Sequence, residues 1–303
     1  MKDIYKKQVS LLLEILPEIA KEDVFALHGG TAINLFCLNM PRLSIDIDLT
    51  YIPASNNRDK DLLNIRLALE RVKERLEKRI PNINFADPVR AEEELKLICT
   101  IPEAMVKIEV NQINRGIISD TELVVLCNKA QEVFDKFCEI RMVSQKQLWG
   151  GKINAALDRQ HPRDLFDIRN LINEVGYSTD IKEGFIFFLL CGKRPIHELL
   201  NPHYIDQSAV FESQFQGMTD DTFGDDEYQE TRKQLIRMIN ESLTDEDKEF
   251  LLAFSKGKPD WTKVDYSKYP AIRWKLLNIK KLRDSNPQKH REQVEMLKQI
   301  LFL

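Results

Sequence analysis

Leu27-His28-Gly29-Gly30-Thr31-Ala32 leads, through a loop, into Ser44-Ile45-Asp46-Ile47-Asp48-Leu49, and the reading of these two stretches decides the fold. Val24 to Leu27 reads as a short strand ending at His28-Gly29-Gly30. Thr31 to Leu38 reads as a helix, and Asn39-Met40-Pro41-Arg42 as a loop, because Pro41 has no N–H to give a helix or a central ladder. Ile45 to Ile52 reads as a strand with Ile45, Ile47 and Leu49 on one face and Asp46 and Asp48 on the other. Two carboxylates held side by side repel each other unless a cation lies between them. That is the arrangement a Mg²⁺ site for phosphoryl or nucleotidyl transfer requires. Gly29 and Gly30 add the complementary half, since glycine lets backbone N–H groups approach phosphate closely and the helix that follows presents its positive end. Thr31 is placed as a hydroxyl donor to a phosphate or as a helix cap. Arg42 and Ser44 precede the acidic strand and either touch the nucleotide or, for Arg42, pair with an acid.

Working outward, residues 3–20 carry Ile4, Val9, Leu11, Leu12, Ile15, Leu16 and Ile19 at helical spacing. Asn57 to Ile80 is a charged amphipathic helix. Leu95 to Ile101 and Met105 to Ile113 read as a hairpin whose second strand alternates Val106, Ile108 and Val110 with Lys107, Glu109 and Asn111. Glu109 is the best third acid for the Asp46/Asp48 pair if its strand lies beside theirs, since the face carrying those acids must be the open one. Otherwise it sits on a merely solvated face.

Helix-rich sequence begins near Val143. The expectation is an α+β protein, with a mixed-sheet core at 1–142 and a mostly α-helical domain at 143–303. Within the second part, Lys152, Ala155, Ala156 and Arg159 share a helix face, and the alanines let that face approach something closely. Pro162 suits the first turn of a new helix on which Asp164 and Asp167 lie together. These charges either serve chemistry or form an ion-pair network, for example Arg163 with Asp167. At least one of the two aspartates is expected to orient Lys152 or the acceptor hydroxyl. Thr219 to Glu227 lacks the glycine and aspartate positions of a calcium loop and reads as a solvated acidic linker; Thr244-Asp245-Glu246-Asp247 reads as a helix N-cap.

The 303 residues are 43% apolar and 30% charged, enough to bury a sizeable core, and the net charge is −4. A generic polycation that coats nucleic acid is excluded, so any such contact needs a local basic surface. Lys146, Lys152, Arg159, Arg163 and Arg169, extended by Lys193 and Arg194, are the candidate. The five cysteines form no C-x-x-C pair, and the five histidines show no zinc spacing, so free thiols in a reducing compartment are expected. The N-terminal residues carry no signal-peptide run and no segment approaches 18 apolar residues; the greasy stretch Phe185 to Cys191 reads as a core helix. A cytoplasmic protein with no membrane association is expected.

Gly-Gly, a helix, then Asp-x-Asp resembles the polymerase-β-like nucleotidyltransferase superfamily. More narrowly, Gly29-Gly30-Thr31-Ala32 followed by Arg42-Leu43-Ser44-Ile45-Asp46-Ile47-Asp48 resembles the AbiEii-type nucleotidyltransferase toxins of type IV toxin–antitoxin and abortive-infection systems. Lys107-Ile108-Glu109 resembles their second motif. Lys152-Ile153-Asn154-Ala155, Arg159 and Arg163-Asp164-Leu165-Phe166-Asp167 resemble the third, and the stretches Leu251–Trp261 and Pro270–Asn278 resemble the end of the same group. The resemblance implies a catalytic set of Asp46, Asp48, Glu109, Lys152, Asp164 and Asp167, with Mg²⁺ on Asp46, Asp48 and Glu109. It implies an NTP held by Gly29, Gly30, Thr31, Arg42, Ser44 and Lys152. It further implies an RNA acceptor such as the 3′ end of a tRNA, and a cognate antitoxin. The acceptor surface is assigned to Arg159, Arg163, Lys193 and Arg194. A non-catalytic nucleotide- or protein-binding member of the fold, or nucleotidylation of a protein or small molecule, is the alternative.

Overall fold

The structure is a computed structural model that describes residues 1–55, 57–86 and 95–302. Two compact units divide the chain: Met1–Ser144 with Gln214–Thr222, and Gln145–Ser213 with Phe223–Leu303.

In the first unit, α1 (Asp3–Ile19) and β1 (Phe25–His28) lead into α2 (Gly29–Ala32). The helix expected from Thr31 to Leu38 is one α-helical turn continued as a π-helical turn, Ile33–Cys37. Then come β2 (Asp46–Tyr51), α3 (Arg58–Arg79), β3 (Asn84–Phe85), β4 (Lys96–Ile101), β5 (Ala104–Val110), β6 (Glu122–Val125), α4 (Asn128–Phe134) and β7 (Glu139–Met142). Among the described residues seven strands form one sheet in the order β3-β4-β5-β2-β1-β7-β6. The sheet is mixed: β2 runs antiparallel to β1 and parallel to β5, and β1 runs parallel to β7.

Alternation sets which face is closed. Ile47, Leu49, Val106, Ile108 and Val110 are buried, whereas Asp46, Asp48, Lys107 and Glu109 between them are part-exposed. Each fully buried aliphatic side chain of this kind stabilises by about 1.5–3 kcal/mol, so a register slip that turned the acids inward is strongly disfavoured. Helix α1 lies against β5 and α3, and α3 is started and stopped by its own sequence. The Asn57 side chain accepts from the Lys60 N–H, acids occupy the first turn, and Lys78 and Arg79 occupy the last. Glu18 and Glu22 of the α1 region are buried and answered by Arg71, Arg75 and Arg79 of α3.

Residues 214–222 belong to this first unit rather than to the helical one. Leu43 N–H donates to Met218 O at 2.7 Å, Lys2 N–H donates to Gly217 O at 2.8 Å, and Thr219 forms a β-bridge with Arg42. The start of the expected acidic linker is therefore pinned, and the next helix begins at Asp225.

The second unit is helical: α5 (Gln145–Arg159), α6 (Pro162–Asn170), α7 (Thr179–Cys191), α8 (Ile196–Leu200), α9 (Ser208–Gln214, its last residue grouped with the first unit), α10 (Asp225–Ser242), α11 (Asp245–Ser255), α12 (Pro270–Ser285) and α13 (Pro287–Phe302). A close helix crossing here is made by glycines. A Cβ on Gly150 would lie 2.3 Å from the Gly184 carbonyl carbon, and one on Gly184 would lie 1.9 Å from Lys146 O. Helices α5 and α7 thus touch backbone to backbone. Phe185 to Cys191 is buried as expected, and Thr244 with Asp247 forms a full capping box.

Candidate active site

The open face of the first unit is built from three neighbouring strands. Parallel pairing of β2 and β5 sets Asp46 opposite Lys107 and Asp48 opposite Glu109, while antiparallel pairing with β1 sets His28 opposite Asp48. Gly29 follows at φ +72°, and a Cβ there would stand 2.3 Å from Asp48 Oδ2. Only glycine allows this turn to hold its left-handed backbone and the carboxylate at that approach.

The glycines rest on a buried polar scaffold. Thr31 is fully buried, and its hydroxyl lies 2.5 Å from Asp46 O and 3.1 Å from Ser44 Oγ. A Cβ on Gly30 would meet Arg42 Nη2 and Ser44 Oγ, each at 2.9 Å. Arg42 is 2% exposed and donates to Leu43 O at 2.9 Å; Ser44 is 5% exposed. The sequence leaves Thr31 open between a phosphate contact and a helix cap, and Arg42 and Ser44 open between nucleotide contact and, for Arg42, an acid pair. Here all three are buried, with Thr31 bonded to Asp46 O and Ser44 Oγ and with Arg42 and Ser44 close against Gly30.

Glu109 reaches the acidic face on the expected strand but is engaged by cations. Its carboxylate lies 2.9 Å from Lys107 Nζ and 3.3 Å from Lys96 Nζ. Burial pushes Glu109 up, but the Lys107 and Lys96 ammoniums outweigh it and hold its carboxyl below the ordinary value. Burial likewise pushes Lys107 down, yet its hydrogen bond to Glu109 and the charges of Glu109, Asp46 and Asp48 raise it overall. Among the described residues no three His, Cys, Asp or Glu side chains stand close enough to hold a metal together. Asp46 and Asp48 by themselves fit Mg²⁺, which takes one or two carboxylates and leaves the rest of its shell to water and substrate phosphates.

The second unit gathers the other predicted charges into a closed network. Lys152 Nζ lies 2.8 Å from Asp164 Oδ1 and 2.9 Å from Asp167 Oδ2. All three side chains are buried, Asp167 completely. Arg159 adds a fork to Asp164, with Nε at 2.5 Å and Nη2 at 3.0 Å. Burial would raise Asp164; the charges of Lys152 and Arg159 reverse this and hold it well below the ordinary carboxylate range. Some of the acceptor candidates also make ion pairs. Arg194 pairs with Asp158 and Glu198, Lys146 with Glu183, and Arg169 with Glu227 while it stacks on Phe166. The Arg163 N–H caps onto His161 Nδ1, and Lys193 is exposed.

A family model described as the nucleotidyl transferase AbiEii toxin, type IV TA system, matches residues 10–276. The chain belongs to this family. Its fold is that of a solved relative: MenT4, a nucleotidyltransferase toxin from Mycobacterium tuberculosis H37Rv, superposes with a TM-score of 0.62. The two are 12% identical, and the match covers 91% of this chain and 93% of that one. A candidate nucleotidyltransferase from H. pylori is 17% identical over 80% of this chain and 97% of its own, with a TM-score of 0.47. No curated protein sequence matches. The α+β architecture and the family are those the sequence motifs indicate, and the protein is a nucleotidyltransferase toxin of a type IV system, which implies a cognate antitoxin and a nucleotide substrate. No helix among the described residues is long and apolar enough to cross a membrane.

Two side chains of the open face are not evident from the sequence. Lys96 faces Glu109 through the β4–β5 register, and His28 faces Asp48 through β1. The residues around Lys96 show no polar–apolar alternation, and only the hairpin register brings it to Glu109.

Proposed function

We propose that the protein transfers a nucleotide from an NTP to a hydroxyl of an RNA acceptor, such as the 3′ end of a tRNA, at the Asp46/Asp48 face. One observation carries the reading. Two part-exposed carboxylates project from one strand, and the Gly29 backbone lies so close to Asp48 that no side chain fits between. A turn without side chains beside paired carboxylates seats a polyphosphate that reaches them through a divalent ion.

Asp46 and Asp48 would hold Mg²⁺, which supplies charge neutralisation at the phosphates when bound. Gly29 and Gly30 let the backbone of the turn lie directly against Asp48, Arg42 and Ser44, so that its N–H groups can approach phosphates held at the carboxylates, and Thr31, Ser44 and Arg42 support that turn. Lys107 brings a cation whose charge is secured at neutral pH by Glu109 and the two aspartates. It offsets negative charge that develops as the acceptor oxygen bonds to the α-phosphorus and pyrophosphate leaves. Glu109 holds Lys107 and Lys96 in place and becomes a third acid if an incoming cation displaces them.

The test is incubation of purified protein with each α-labelled NTP, Mg²⁺ and total RNA or tRNA. Labelled RNA from the wild-type chain and none from Asp46→Asn is expected. Full labelling by Asp46→Asn/Asp48→Asn overturns the site. Label in protein or a small molecule alone replaces the RNA acceptor with the other acceptor class.

A further inference from the structure

Helix α12 presents a surface that the nucleotidyl-transfer site does not use. A groove of about 390 Å³ is lined by Gly257, Arg273, Leu276, Leu277, Lys280 and Arg283. Its lining combines three cationic side chains with two leucines. Lys256 and Lys258, both exposed, bracket Gly257, and Lys281 is exposed one residue beyond Lys280. Trp274 is 59% exposed and Leu277 61%, and at i, i+3 they are neighbours on the helix surface. Asp284 is the acid here, 3.1 Å from Lys280 Nζ and 3.9 Å from Arg283 Nε, in pairs that are more than a third exposed on both sides. Such pairs are worth little and give way to a better anion.

We propose that this groove holds a single-stranded stretch of the RNA acceptor, with phosphates on Arg273, Lys280 and Arg283 and a base stacked on Trp274. The proposal rests on the RNA-acceptor reading above and adds where that RNA docks. Charge complementarity chooses the occupant. On a chain of net charge −4, a concentration of lysine and arginine marks a polyanion site. Cations that track a backbone beside an exposed aromatic ring are the means by which single strands are held without sequence preference.

The experiment is fluorescence anisotropy with a labelled, unstructured oligoribonucleotide and full-length protein. Wild type, Lys280→Glu/Lys281→Glu and Trp274→Ala are compared at several salt concentrations, with thermal melts as the folding control. The charge reversal is expected to weaken binding by tenfold or more at low salt. It should also flatten the dependence on log salt by about 0.7 for each phosphate that is no longer neutralised. Trp274→Ala is expected to cost roughly fivefold or more, and RNA should quench the Trp274 emission of the wild type. Equal binding by all three proteins overturns the groove and leaves the RNA-acceptor reading standing. A wild-type chain that binds no RNA and labels none in the transfer assay overturns the acceptor reading itself. Asp46→Asn separates the two, since it should lose transfer and keep RNA binding.

Discussion

Two acidic clusters of similar sequence appearance meet opposite fates in this molecule. Asp46 and Asp48 stand part-exposed on an open sheet face, with a side-chain-free turn pressed against Asp48. Asp164 and Asp167 are buried and clamp one lysine between them. A carboxylate that serves a metal and a phosphate has to keep a face toward its ligand. Asp164 and Asp167 have already met a buried ammonium, and both carboxylates face Lys152 rather than an open surface. Asp-x-Asp on a strand and Asp-x-x-Asp on a helix thus differ less in residue type than in what the fold leaves around them.

The sharpest way to break this contrast is to neutralise the open pair. Asp46→Asn/Asp48→Asn should abolish NTP-dependent labelling while the melting temperature stays near that of the wild type or rises, because like-charge repulsion on the face is relieved. A large drop in melting temperature with transfer intact would mean that the open pair is the structural one.

Next in size is Lys152. Removing it leaves two buried carboxylates facing each other, and breaking a buried pair in this way costs about 3–5 kcal/mol. Lys152→Ala should therefore unfold at markedly lower temperature. The family resemblance assigns Lys152 to the triphosphate, and Asp164→Asn tests whether that assignment survives its burial. If the lysine is structural, both variants lose stability and keep the KM for NTP. A raised KM at unchanged stability would return it to the nucleotide. The network also sets a pH dependence. Asp164 is held below its ordinary value, so its contribution is present above the unfolded carboxylate pKa of about 4 and is lost as pH falls through the lower folded value. Acid melts should show a loss below about pH 4 that Asp164→Asn blunts.

The open face is legible in the sequence because strand alternation turns residue spacing directly into a face: Ile47 and Leu49 are buried as that spacing requires, while Ile45, just before β2, is half-buried. The buried network is legible as a set of partners but not as a closed one, since helical spacing shows who can meet and not who is covered. Other features leave no side-chain trace. Residues 214–222 join the first unit through backbone bonds such as Leu43 N–H to Met218 O, to which any sequence is nearly indifferent. The α5–α7 crossing depends on Gly150 and Gly184, 34 positions apart, and neither is unusual within its own helix. Thr31, Arg42 and Ser44 stay open between ligand and support in the sequence, because residue type near a glycine turn does not say which side chains are buried, as these are.

Gly29 sharpens the comparison from the backbone side. Gly29→Ala must adopt φ +72° with a Cβ driven into Asp48, at a cost of about 1–2 kcal/mol for the left-handed conformation alone. Loss of transfer beyond what the melting shift explains, read as a fall in kcat, is expected. The equivalent intrusion at the buried cluster has no such catalytic signature. Transfer that tracks stability alone would place the glycine in folding rather than in the site.

The smallest expected effect belongs to Arg159, which shares features of both kinds of cluster. Its side chain is 58% exposed, yet its fork reaches the buried carboxylate of Asp164. Exposure discounts the pair to the surface range, about 0.2–1 kcal/mol, because Lys152 still answers the carboxylate when Arg159 is removed. Arg159→Gln should therefore lower the melting temperature only slightly. The sequence motif also marks Arg159 as an acceptor contact, and the two roles separate cleanly in one experiment. A purely structural Arg159 leaves the salt dependence of RNA binding unchanged, since its charge is already balanced within the unit. An Arg159 that leaves Asp164 for a phosphate lowers the slope by about 0.7 on removal and shows that the closed cluster opens when RNA arrives.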